Sequence, residues 1–377
     1  MVIMGLSVLL LSAYLAYLNL TLTLAGGLKV LKKSQPEDSE SDSSNKERFT
    51  ILIAHFNDSE KIPALLESLA RQNYPGALRL CVVDDHSAEA HLISLSLSLK
   101  ESSFDTLLIE NELAPGKKNA LEYAINRLGE CFIIQLDADV VVEEGFLAKF
   151  AASKKQGQAD ILLGLVKMQF SKGFVSRFAA FEFLSLQMSG MALAAINRPI
   201  MANGAAMAYS STTWLRFRTI GREWASGDDS FLVQAAKNAG DLKIIAVPAA
   251  AVSTEAPKKF NDFLNQRVRW GAKSVAYPSF FAKTVAFRVA FLNLSLVLTL
   301  FWALLFRWQS LPMVAFFFFL KGLSDFPLLR NFAKMTGQVN LLKGYWLAAL
   351  FYPFYISLSV LFIIIPFKKR WKGRTYN

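Results

Sequence analysis

Cysteine is nearly missing from this chain: Cys81 and Cys131 are the two among 377 residues. That excludes a disulfide scaffold; both sit in strand-like runs, where two reduced core thiols are the simplest reading. The 20 glycines follow no period, which excludes a collagen-like repeat, and no other internal repeat is visible. A hydrophobic share of 53% excludes a disordered tail. No basic stripe with interleaved aromatics appears, so the net charge of +11 does not point to nucleic acid. Anionic lipid headgroups account for it more simply. Finally, no Lys or Arg precedes the first apolar run, as a cleaved signal peptide would require.

What is present is apolar sequence gathered in two blocks, about the first 25 residues and about the last 90. Residues 2–24 carry no charge and are long enough to cross a bilayer as a helix. Lys29, Lys32 and Lys33 follow, and the positive-inside rule places the next segment in the cytoplasm. Residues 1–27 therefore read as a retained transmembrane anchor. Residues 28–48, Ser-rich and acidic from Ser34 on, read as a polar linker. After Phe280 three more candidate spans follow, 285–306, 311–329 and 345–367. The middle one holds Lys321, Asp325 and Pro327, and polar groups in hydrocarbon are costly. Three spans would put the basic tail 368–374 outside, against the charge rule. Either 311–329 is re-entrant or interfacial, or the tail breaks the rule. Residues 276–377 are thus a membrane region with two or three spans and a basic tail.

Between these blocks the pattern changes to alternation. Residues 49–54, 78–83, 106–109 and 131–136 read as strands. Ile62, Leu65, Leu66 and Leu69 recur at helical spacing, and 116–128 reads as a helix. The segment 93–99 (ISLSLSL) alternates like a strand and is also compatible with a helix. Strands alternating with helices predict an α/β fold, a mostly parallel sheet with helices on both faces. Ligands in such folds bind beyond the carboxyl ends of the strands. Two acid pairs fall there: Asp84-Asp85 after 78–83, and Asp137-Ala138-Asp139 after 131–136.

In an extended segment residues i and i+2 point the same way, so Asp137 and Asp139 can face one cation. Two hard oxygens with room for phosphate oxygens suit Mg²⁺ or Mn²⁺ better than Zn²⁺. A bare D-x-D is a weak pattern, and its place after a buried strand is what raises it. Asp84 and Asp85 can cap the following helix, or one of them can accept the imide N–H of a uracil. Gly116-Lys117-Lys118-Asn119 opens a helix with two ammonium groups, suited to a diphosphate, although a solvated helix start explains it equally. Gly227-Asp228-Asp229 puts two acids at a helix start, where the dipole alone favours them. A carboxylate held there is also ionised, as a general base must be. On a helix Gln266, Arg269 and Trp270 share one face, an amide, a guanidinium and a stacking ring for phosphate and sugar. A basic amphipathic helix beside a membrane is the alternative.

Taken in order, Ile53-Ala54-His55-Phe56-Asn57-Asp58, then D-D-H-S, G-K-K-N-A-L, D-A-D, G-D-D and Q-R-V-R-W resemble the family 2 glycosyltransferases of the GT-A fold. The likeness spans about 49–275 and is nearest to membrane-bound members with a Q-x-x-R-W box: cellulose, chitin and hyaluronan synthases and ceramide glucosyltransferases. Asp58 stands where Glu is commoner, His55 where other residues are frequent, and G-D-D is nearer to the hyaluronan type. The resemblance implies an inverting transfer from a UDP-sugar with Mg²⁺ or Mn²⁺. Asp84 and Asp85 would hold the uracil, Lys117 would lie near the nucleotide, and Asp137 with Asp139 would bind metal and diphosphate. Asp229 would be the base on the acceptor hydroxyl, with Asp228 beside it on the substrate. Gln266, Arg269 and Trp270 would hold diphosphate and acceptor. The expected place is the cell (inner) membrane, multi-pass, with a cytoplasmic catalytic domain.

Processive synthases thread a polymer through many spans, and this chain shows few. A lipid acceptor in a single transfer is therefore favoured over a glycan polymer. The alternative is a processive polysaccharide synthase of the cellulose or hyaluronan type. The Phe-rich stretch 170–208 reads either as a membrane-facing ramp or as an ordinary core helix. A dead scaffold would have lost Asp229 or the metal pair, and all are present.

Overall fold

A computed structural model describes residues 2–35, 47–224, 227–364, 369–371 and 374–376. Most of the polar linker lies outside the described residues, as do Ser226 and, in the basic tail, Lys368, Lys372 and Gly373. The chain forms two compact units, one from Lys33–Gln169 and Ala194–Glu255, the other from Met1–Lys32, Phe170–Leu193 and Ala256–Asn377.

In chain order the elements begin with α1 (Val2–Lys33), β1 (Phe49–His55), α2 (Ile62–Ala70), β2 (Leu78–Asp84) and α3 (Glu89–Lys100). Next are β3 (Asp105–Glu110), α4 (Lys117–Leu128), β4 (Phe132–Asp137), β5 (Val141–Val142), α5 (Phe146–Gly157) and β6 (Ile161–Gln169). Then come α6 (Phe174–Ala195), β7 (Ala206–Ser210), α7 (Ser211–Phe217), α8 (Asp228–Ala239) and β8 (Ile244–Glu255). The remaining helices are α9 (Phe260–Ala272), α10 (Phe280–Phe306), α11 (Leu311–Met335) and α12 (Tyr345–Ile364).

The first unit is an α/β body around one sheet in the order β3-β2-β1-β4-β7-β6-β8-β5. Its first four strands run parallel; β1, β2 and β4 are apolar runs buried over most of their length, while β3 at the edge is half-buried. β7 then enters antiparallel between β4 and β6, and β6 and β8 pair in parallel. The segment 93–99 lies within the helix α3. Its Leu95 and Leu99, four apart, form the buried seam, while Ile93 and Leu97 are exposed. The hydroxyls of Ser96 and Ser98 donate to the carbonyls of Leu92 and Ser94, so the serines are satisfied within the helix itself. Cys81 and Cys131 are both free, and burial pushes the Cys81 thiol up to about 12.

The second unit is helical. Among the described residues five helices, α1, α6, α10, α11 and α12, are long and apolar enough to cross a membrane. α11 is one continuous helix that contains 311–329 and runs through Pro327. Its two awkward charges pair with each other, Lys321 Nζ donating to Asp325 at 2.7 Å. The α1 backbone passes so close to α6 that a Cβ on Gly27 would lie 2.2 Å from the Ala192 carbonyl oxygen. Small residues at such crossings are what packed membrane helices use. α6 is the long apolar helix buried along most of its length, whereas α10 exposes Leu298, Leu305 and Phe306.

Candidate active site

The α/β unit collects its polar residues at one end of the sheet. Strand register makes His55 the cross-strand partner of Asp84 and Ala54 that of Asp137, so both acids leave the sheet on the same edge. The antiparallel β7 brings residues 203–205 to that edge as well, since Leu136 pairs with Ala206.

Asp84 is buried and fully engaged. The His55 ring Nδ1–H donates to it at 2.8 Å, and the Ser87 backbone N–H at 2.9 Å. Nε2 of the same ring accepts the Asp58 backbone N–H at 3.2 Å, which assigns the neutral tautomer. Burial alone would raise the Asp84 pKa; the hydrogen bonds from His55 and Ser87 outweigh it and hold the carboxyl below its ordinary value. His55, a departure from the family pattern in the sequence, is therefore the residue that fixes Asp84. Asp85 takes the Gly116 N–H on both oxygens at 2.9 Å and the Asn111 side-chain amide at 3.0 Å. Gly116 sits at φ 146°, a conformation that favours glycine, and this aims its N–H at the carboxylate.

At the start of α4 the two lysines part company. Lys117 Nζ donates to Asp137 Oδ1 at 2.5 Å, whereas Lys118 Nζ donates to the Gly221 carbonyl. The first lies among the acids Asp137, Asp228 and Asp229. Burial pulls the Lys117 ammonium down, but the charges of Asp137, Asp228 and Asp229 prevail and hold its pKa above the lysine value.

Asp228 and Asp229 open α8 behind Gly227, whose φ is 97°. Asp228 accepts from Gln135 Nε2 at 3.2 Å, and Gln135 Oε1 in turn accepts the Tyr209 hydroxyl at 2.6 Å. Asp229 Oδ2 accepts the Gly204 N–H at 3.0 Å. A Cβ on Gly204 would meet Gln135 Nε2 at 2.5 Å and come within 3.6 Å of Lys117 Nζ, so glycine lets the loop close over this cluster. Sequence reasoning passed over Gln135, Gly204 and Tyr209. An amide in the otherwise apolar run 133–136 was the available signal, because a buried amide must find partners.

Asp139 lies in the turn after β4, and Thr254 donates to it at 3.4 Å. The atoms packed around the carboxyl desolvate it and the charge of Asp137 adds to that, so its pKa is raised. Among the described residues no three or more His, Cys, Asp or Glu side chains form a cluster able to hold an ion. Two carboxylates carrying excess negative charge do fit a hard divalent cation that completes its shell with phosphate oxygens. The donor set suits Mg²⁺ or Mn²⁺.

In the helical unit Gln266, Arg269 and Trp270 lie on α9 as the spacing predicts. The residue that engages Gln266 and Trp270 is Arg267, which sequence reasoning missed. Its Nε donates to Glu182 of α6 at 2.6 Å, its Nη1 to Gln266 Oε1 at 2.6 Å, and its guanidinium lies 4.5 Å from the centre of the Trp270 ring. Tyr355 also donates to Glu182, at 3.2 Å. A lone Glu in the apolar run of α6 was the clue, since such a charge demands a partner.

The protein is similar to known proteins over much of its length. The family described as "Glycosyltransferase like family 2" matches residues 47–272. An N-acetylglucosaminyltransferase of Neorhizobium galegae is 26% identical over 249 residues, 63% of this chain and 57% of the relative. One of Azorhizobium caulinodans is 22% identical over 270 residues, 67% and 68% of the two chains. The match therefore spans little more than half of the first relative's length. Among solved structures, a mannosyltransferase of Pyrobaculum calidifontis, determined with GDP-mannose and Mn²⁺, has the same fold, with a TM-score of 0.61 at 16% identity. It covers 93% of this chain and 99% of its own. With more than half its residues matching that family on a GT-A fold, the chain belongs to glycosyltransferase family 2.

Proposed function

We propose that this protein transfers a sugar from a UDP-sugar to a membrane-associated lipid acceptor with inversion at the anomeric carbon. The observation that carries the reading is the convergence of Asp137, Asp228 and Asp229 on Lys117 at the edge of the sheet. Asp84 and Asp85, held from within the protein, form the floor on which the uracil would rest. Lys117 would face the diphosphate, and Asp137 with Asp139 would hold Mg²⁺ or Mn²⁺. A bound cation supplies electrostatic stabilisation of the departing nucleoside diphosphate. Asp229, fixed by the Gly204 and Ser230 amides, would take the acceptor's hydroxyl proton as that oxygen attacks from the face opposite the leaving group. One displacement gives inversion, and no covalent sugar intermediate is needed. Gln266, Arg269 and Trp270 are assigned to diphosphate and acceptor by the family resemblance. N-acetylglucosamine is the first sugar to test, because the relatives carry that name. The five apolar helices support a multi-pass protein of the cell (inner) membrane, and Lys29, Lys32 and Lys33 favour a cytoplasmic catalytic unit.

The experiment is UDP release from a panel of UDP-sugars, with Mg²⁺ or Mn²⁺ and with or without lipid extract. One glycolipid product is expected, and Asp229→Asn should bind UDP normally while losing at least about 1,000-fold in transfer. Polymer ladders would replace the reading by a processive synthase. Full activity in the Asn variant would overturn the base assignment.

A further inference from the structure

We propose that the helical unit contains a binding site for the hydroxylated head of an uncharged amphiphile. The site is a cleft within this unit to which α1, α6, α10, α11 and α12 all contribute. Its polar lining is Tyr17, Ser185, Ser189, Lys321, Asp325 and Tyr352, and Leu, Val and Met side chains make up most of the rest. Apolar walls with a few convergent polar groups are the makeup of a ligand pocket. An ion pair needed only to join helices would be sealed by close packing instead.

Charge selects the ligand. Lys321 is 3% exposed, and its ammonium donates to Asp325 Oδ2 at 2.7 Å, while Tyr17 donates to Asp325 Oδ1 at 2.8 Å. The pair is neutral as it stands. An anionic head would meet a cation already balanced, with Asp325 beside it. The hydrogen-bonding inventory points the same way. Lys321 has three N–H donors and one oxygen partner, its other contacts being the rings of Tyr17 and Tyr352 at 5.5 and 4.5 Å. The Ser185 and Ser189 hydroxyls donate to the carbonyls of Glu182 and Ser185; Ser185 also meets the Tyr352 side chain, and the Ser189 oxygen is the acceptor offered to the cleft. A lining that both donates and accepts suits an alcohol, which does both. A phosphate only accepts. The apolar remainder of the cleft then takes the start of an acyl chain.

The inference goes beyond the proposed function, and the binding it describes does not depend on that function. The test uses the purified full chain in detergent, titrated with dioleoylglycerol and, separately, with dioleoyl phosphatidate, with occupancy read by native mass spectrometry. Saturable binding of dioleoylglycerol is expected, with phosphatidate at least 10-fold weaker. The double variant Ser185→Ala/Ser189→Ala should weaken dioleoylglycerol about 10-fold. Lys321→Met should abolish binding; because it strands Asp325 and can unfold the bundle, the serine pair carries the test. Asp229→Asn should bind dioleoylglycerol like the wild type. In the wild type, saturable binding without any transfer would count against the proposed function alone. No saturable binding, equal or tighter phosphatidate binding, or a serine double variant with unchanged affinity would overturn the site.

Discussion

In the α/β unit three carboxylates, Asp137, Asp228 and Asp229, act on one ammonium, Lys117, whereas in the helical unit Glu182 stands with Arg267 and Asp325 with Lys321, charge for charge. Exposure follows the same division. The Lys117 and Asp137 side chains are 24% and 38% exposed, those of Arg267 and Glu182 2% each. Water can screen the unbalanced cluster, so excess negative charge is tolerable there. In a buried helical interface the desolvation cost forces each ion to bring its partner. In the proposed function the unbalanced group is half of a binding site, completed by the cation or cation-bearing substrate that arrives. A balanced pair carries no net charge with which to attract an ion.

That contrast is sharpest if the Arg267–Glu182 pair is broken. Arg267→Met leaves Glu182 buried without its cation and should cost about 3–5 kcal/mol, seen as a large fall in Tm in detergent. Replacing both members, Arg267→Met with Glu182→Leu, should recover most of that stability. Transfer should stay low in the double variant, because Gln266 has lost the Nη1 donor that orients it and Trp270 the guanidinium against its ring. Recovery of activity together with Tm would reduce Arg267 to a purely structural role.

The unbalanced cluster answers differently. Lys117→Met should leave the fold largely intact, since its partners remain partly solvated. Transfer should fall about 100-fold, the scale of one lost donor to a developing charge. The loss would be read in kcat/KM for the nucleotide sugar across a range of Mg²⁺ concentrations. A drop in Tm as deep as that of Arg267→Met would erase the distinction between the units.

Which of these residues could be read in advance follows from how each interaction is built. Asp84, Asp85, Asp137 and Asp139 were legible because each follows an apolar run, and the fold class because those runs alternate with helical spacing. The place of β7 was not: residues 132–136 pair with 206–210, and nothing local in either segment marks a partner so far along the chain. With β7 went Gly204 and the Tyr209–Gln135–Asp228 chain. Lys117 and Lys118 are alike as letters and separate only by direction from the helix start. For 93–99, serines that bond to their own helix let an alternating pattern fold with a single i, i+4 seam. Arg267 was hidden by its own motif, whose better known positions drew the reading to Gln266, Arg269 and Trp270.

The smallest expected effect concerns Asp84, a charge balanced within the α/β unit by hydrogen bonds and not by a formal cation. Its folded pKa lies below the unfolded value of about 3.9, so its hydrogen bonds contribute stability above that pH and lose it as pH falls through the folded value. Asp84→Asn removes the charge and should cost about 2 kcal/mol at pH 7, the scale of hydrogen bonds to an ionised group. The Tm difference between the two proteins should persist from pH 7 to about pH 5 and close below about pH 4. Two neutral amides or acids in that position would then be nearly equivalent partners for His55 and Ser87. A gap that stayed constant to pH 3 would mean that shape, and not charge, is what His55 and Ser87 recognise, and the pair would then belong with the packed contacts of the core.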